Sequence, residues 1–186
     1  MFYEHPNGGG MVEDTAKVSE TAFVGPNAMV QDNAIVQDLA IIMDSARVMD
    51  WAVVQDNAKI MDHAIVQDQS KVMGYATVNG YATVKGCAIV QDYVVVMDGA
   101  VIMDSARVMG NAVVQDCSEI TDHAIVKDQS KVMDHAIVKD HAIVKDNAVV
   151  KGNAVIMDGA LVKGTVIVRD KAVVQGCSIV LDDVIV

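Results

Sequence analysis

The chain has 186 residues and a net charge of −11, with 52% hydrophobic and only 4% aromatic residues. So acidic a balance, with no basic stripe, excludes a nucleic-acid backbone as partner, because binding there rests on counterion release by clustered Lys and Arg. The hydrophobic residues never run more than a few in a row, so no segment is expected to insert in a membrane, and no signal peptide is recognised in the chain as given.

Residues 1–11 read as a Gly-rich lead-in, marked by His5-Pro6-Asn7-Gly8-Gly9-Gly10. From Val12 to Val186 every sixth residue is Val or Ile without a skipped or inserted position, so residues 12–186 read as one repeat domain. Two places before each, from Ala16 on, stands Ala or occasionally Ser or Val. The unit Ala-x-Val-x-(Asp/Gly)-x predicts a short strand and a corner: Ala34 and Val36 point in, Ile35 points out, and the chain turns after Gln37. A helix is excluded, since a spacing of six walks around a 3.6-residue helix and the β-branched Val and Ile favour strands. Three such faces close a triangular coil, and about ten coils at about 4.8 Å make a prism about 48 Å long. The predicted fold is all-β: a single-stranded parallel β-helix, or triangular β-solenoid, with about ten coils of eighteen residues.

From position 32 on, two places after each Val or Ile stands Asp or Gly, as in Asp32, Asp38, Asp44, Asp50, Gly74 and Gly80, whereas the irregular first coil has Glu20 there. These residue types share a tolerance of left-handed backbone, which a tight corner needs at one fixed place. Inward Val set against inward Ala fills the narrow core with few voids.

The pattern resembles the left-handed parallel β-helix of the bacterial hexapeptide-repeat family over about residues 12–186, and the left hand is implied by that resemblance. Known enzymes of the family include acyltransferases and γ-class carbonic anhydrases. The opening His5-Pro6-Asn7-Gly8-Gly9-Gly10, with Thr15-Ala16 and Thr21-Ala22 after it, is similar to the lead-in of solenoid segments in bacterial multidomain proteins. Some of those are secreted, so the resemblance implies an extracellular or cell-surface location.

Each chemical candidate has a structural reading beside it. His63, His123, His135 and His141 all stand just before an inward Ala, and His123 and His141 fall in adjacent coils. The pair of His four residues apart, with a third upstream, that the resemblance would require for a carbonic anhydrase is absent. The loops and C-terminal helix of the family's acyltransferases are missing too, so these His read as solvated corners. The stacked Asp32, Asp50 and Asp68 invite calcium, but Gly86 and Gly176 break that column and follow corner geometry. Cys87 and Cys177 share a column five coils apart and Cys117 lies in another, which excludes an intrachain disulfide. Met43 to Val48 returns as Met103 to Val108, and Asp62 to Val66 as Asp122 to Val126. That offset of sixty is three coils plus one face, so the copy is turned by a third around the prism, which a rod tolerates and an active site spanning coils does not. No catalytic residue, cofactor or metal site is predicted.

Terminal coils of a solenoid expose strand edges and need caps. The C-terminal repeats stay apolar, so the expected sites are self-assembly edges: Val168, Val174, Val180 and Val186 at one end against Val12, Val18 and Val24 at the other. The expected function is a non-enzymatic structural rod, stacked head-to-tail into a fibre or serving as a rigid spacer. Its partners are other copies of itself, with lateral contact through the outward Ile and Val rows as a further option. The competing expectation is a trimeric acyltransferase or γ-carbonic-anhydrase-like enzyme using intersubunit His.

Overall fold

A computed structural model describes residues 1–181. Its first strands are β1 (Phe2–Glu4) and β2 (Met11–Glu13), and from β3 (Lys17–Val18) to β30 (Ile179–Leu181) a strand of two or three residues recurs every six. From β2 on, every third strand lies in the same sheet, giving three faces of parallel strands along the prism. The register advances by eighteen residues per coil throughout, as in Lys17↔Ile35 and Ile35↔Val53. The first face begins at β2, the second at β3 and the third at β4 (Phe23–Val24). The predicted β-solenoid of about ten coils is the fold observed.

The inward and outward assignment also holds. Ala34, Val36, Ala88 and Val90 are fully buried, whereas Ile35 and Ile89 are half-buried on the outside. Ser70, Ser118 and Ser130 replace the inward Ala and are equally buried, each hydroxyl donating to a corner carbonyl, as from Ser70 to Gln67 and from Ser118 to Gln115, both at 2.7 Å. That bond removes the cost of burying a hydroxyl and makes Ser nearly isosteric with Ala here.

Most corners are turns closed by the inward residue, whose N–H donates to the carbonyl three residues back, as from Ala34 to Gln31 at 3.2 Å. The corner Asp has φ between 57° and 65° wherever Asp stands from Asp32 to Asp170, and the corner glycines share the positive sign. The corner amide meets the preceding coil, where the carboxylate one coil earlier accepts it: Asp50 N–H to Asp32 Oδ2 at 3.2 Å, Asp68 to Asp50 at 3.1 Å, Gly86 to Asp68 at 2.8 Å. Glu13 begins the series by accepting from Asp32 at 2.8 Å. The Asp columns are therefore hydrogen-bonded ladders, and the neighbouring carboxylates are held by amides.

Candidate functional site

The ends of the prism are where its strand edges lie, and at the N-terminal end the chain covers most of its own edge. Strand β1 pairs antiparallel with β2, placing Tyr3 opposite Val12. Residues 7–10 then run along the third face: Val24 N–H donates to Asn7 O at 3.0 Å and Gly10 N–H donates to Val24 O at 2.9 Å. Asn7 Nδ2 also donates to Ala22 O at 2.9 Å. His5 is 3% exposed and anchors the loop, its N–H donating to Gly10 O at 2.8 Å and its carbonyl accepting from Gly9 at 2.9 Å. The glycines are required by close approach, since a Cβ on Gly10 would stand 2.3 Å from Gly25 O and one on Gly8 2.3 Å from Val24 O.

This arrangement differs from the expectation that Val12, Val18 and Val24 present a free edge. Val12 and Val24 are fully buried, and their strands are already paired with residues 1–10. The Gly-rich composition suggested a mere lead-in, whereas those glycines let the backbone lie flat on the first coil. Only β3 stays at the margin of its sheet, with Val18 half-buried and Lys17 exposed beside it. A Lys on an edge strand disfavours pairing with another chain.

At the other end Val168 is fully buried, Val174 is 5% exposed and Val180 is half-buried. Val186 lies outside the described residues. On the last coils Val173 is 52% exposed, Ile179 62% and Leu181 44%, so apolar surface gathers at this end.

The corner rings form a second set of contacts. His123 and His141 stack with centroids 5.1 Å apart and planes 5° apart, and Tyr75 and Tyr93 stack at 5.0 Å and 3°. His63 and Tyr81, which stand sixty residues before His123 and His141, also meet, at 4.9 Å and 36°. The duplication thus keeps a ring pair while changing its chemistry, as ring-on-ring packing between adjacent coils allows. All four corner His are exposed. Among the described residues no three His, Cys, Asp or Glu gather in a group able to hold a metal ion. Cys87, Cys117 and Cys177 are free and exposed.

Two corner carboxylates are held below the ordinary carboxylate range. The Asp134 backbone N–H is the main cause at Asp116, helped by the Gln115 side chain. At Asp122 the Thr121 hydroxyl, donating at 2.8 Å, comes first and the Asp140 N–H second.

A chain built of corners and two-residue strands at an eighteen-residue register is, as a class, a hexapeptide-repeat β-solenoid. Within that class it is similar to the GMPPB C-terminal domain, whose family model matches residues 7–96. Neither a curated protein nor a solved structure matches the chain.

Proposed function

We propose that this chain is a rigid, non-enzymatic rod or spacer whose end-to-end stacking is held off by its own N-terminal residues. The observation that carries this reading is the unbroken corner series: positive φ recurs every six residues from Asp32 to Gly176, with no loop leaving the prism to build a pocket. The similarity of residues 7–96 to a C-terminal domain supports an accessory module over a free-standing catalyst. A head-to-tail fibre then requires residues 1–10 to leave β2 and β4, because the two cannot be paired twice on the same side.

Sedimentation velocity and electron microscopy of two full-length chains test this. The wild type is expected as separate elongated particles about 48 Å long. A Tyr3→Pro/Gly10→Val variant loses a strand donor and forces the loop off Val24 and Gly25, so it is expected to form filaments that persist in high salt. Wild-type filaments with residues 1–10 still protected from hydrogen exchange would refute the blocking role. A closed trimer with stoichiometric metal, or with a melting point shifted by coenzyme A, would replace the rod with the enzyme reading.

A further inference from the structure

We propose that the second face, over its last four coils, is the surface on which two copies of this chain pack side by side with parallel axes. The outward row there reads Ile125, Ile143, Leu161, Ile179, and no other face carries four successive apolar residues. On the first face Arg47 and Glu119 interrupt the row, and on the third Lys59 and Lys131 do. Two residues beyond Ile125, Ile143 and Leu161 stand Lys127, Lys145 and Lys163, and Ile125, Ile143 and Leu161 line one shallow apolar groove together with Lys127 and Lys145. Although Asp128 and Asp146 stand at the corners beside Lys127 and Lys145, none of the three lysines makes an ion pair among the described residues. On the opposite flank of the apolar row lie the stacked His123 and His141 and, just beyond them, the corner carboxylates Asp122 and Asp140.

Charge selects the second copy and its orientation. A two-fold axis parallel to the prism sets the Ile row against itself and lays each lysine row along the His and Asp flank of the other copy. The antiparallel alternative sets lysine against lysine. Such a contact is isologous, so it closes as a dimer and does not propagate. Toward the N terminus the same row carries Arg107 and Lys71, which this axis sets against themselves, so the contact is confined to the last four coils. Four coils by one face cover about 300 Å² per copy, well below the roughly 800 Å² of a standard interface, so the dimer is weak and concentration-dependent. The inference extends the rod reading and rests on it.

Sedimentation equilibrium of the full chain up to millimolar concentration provides the test. The mean mass is expected to rise from 19.8 kDa towards twice that value and to fall back in high salt. Lys127→Glu with Lys145→Glu is expected to weaken association about tenfold or more. Adding His123→Lys and His141→Lys to that variant is expected to recover association at least in part, because each new Glu then faces a Lys. A monomer at every concentration, association insensitive to salt, or failure of the charge exchange would overturn the proposal. So would lysine-dependent binding of the monomer to vesicles of anionic lipid, which would make the face a membrane contact. The frictional ratio of the monomer reads the rod shape independently, so the dimer and the rod fail separately.

Discussion

Asp68 is the sharpest probe of the corner ladders, because it carries a positive φ of 61° and its Oδ2 accepts the Gly86 N–H at 2.8 Å. Three substitutions divide these two roles. Asp68→Asn keeps the left-handed tolerance and a neutral acceptor, and loses the charge assistance, for a cost of about 0.5 kcal/mol. Asp68→Gly keeps the backbone but deletes the acceptor, for about 1 kcal/mol. Asp68→Ala deletes the acceptor and forces an ordinary residue into left-handed backbone, adding about 1 kcal/mol more, for a total of about 2 kcal/mol. Urea unfolding followed by circular dichroism should order the midpoints as wild type, Asn, Gly, Ala, at constant slope. Hydrogen exchange supplies a local readout: the Gly86 amide should stay protected in the wild type and in the Asn variant and exchange faster in the other two. If Ala proved no worse than Gly, the backbone argument would be wrong. Unchanged Gly86 protection in the Gly variant would mean that the carboxylate does not hold that amide.

The core and the acid response give further expectations. Ala88 is fully buried and Ile89 half-buried, so Ala88→Leu should cost about 1–3 kcal/mol by overpacking and Ile89→Thr much less; equal losses in the denaturant midpoint would mean that the faces are reversed. Asp116 and Asp122 titrate lower in the folded chain than the ordinary value near 3.9, so their stabilisation is complete above that value and is lost as the pH falls through the lower folded one. Urea midpoints should accordingly fall on acidification below about pH 4, and Thr121→Val should return the Asp122 carboxyl, followed by NMR, towards the ordinary range. A carboxyl titration unmoved by that substitution would show that the hydroxyl is not its cause.

Much of the fold was legible because one residue type recurs at each role. Val and Ile at a spacing of six, Ala two places before and Asp or Gly two places after leave one packing in which all three are satisfied. The ladder was less visible, since Asp and Gly alone are explained by left-handed backbone. A signal was present, however: Asn tolerates that conformation equally well, yet it occupies none of the corners from 32 to 176. The covered N-terminal edge was missed for another reason. It is built by antiparallel pairing between β1 and β2 and by a loop on β4, and neither follows the six-residue rule that made the remainder readable. Three successive glycines beside Phe2 and Tyr3 hinted at backbone lying close against a neighbour, but a pairing partner cannot be read from composition. The ring pairs depended on the eighteen-residue register, which brings His63 to Tyr81 as it brings His123 to His141.

Because the carboxylate ladders link positions eighteen apart, the turn bonds lie within a single corner and the three faces obey one rule, a single added hexad breaks none of these bond types. It lengthens the prism by a third of a coil, about 1.6 Å, and turns everything beyond it by a third of a revolution. Length and orientation are thus geared together, as on the thread of a screw. Whatever is joined to the far end advances in small steps and returns to its original bearing only after every third hexad. The sixty-residue duplication is ten such steps, and it left its second copy facing a new side.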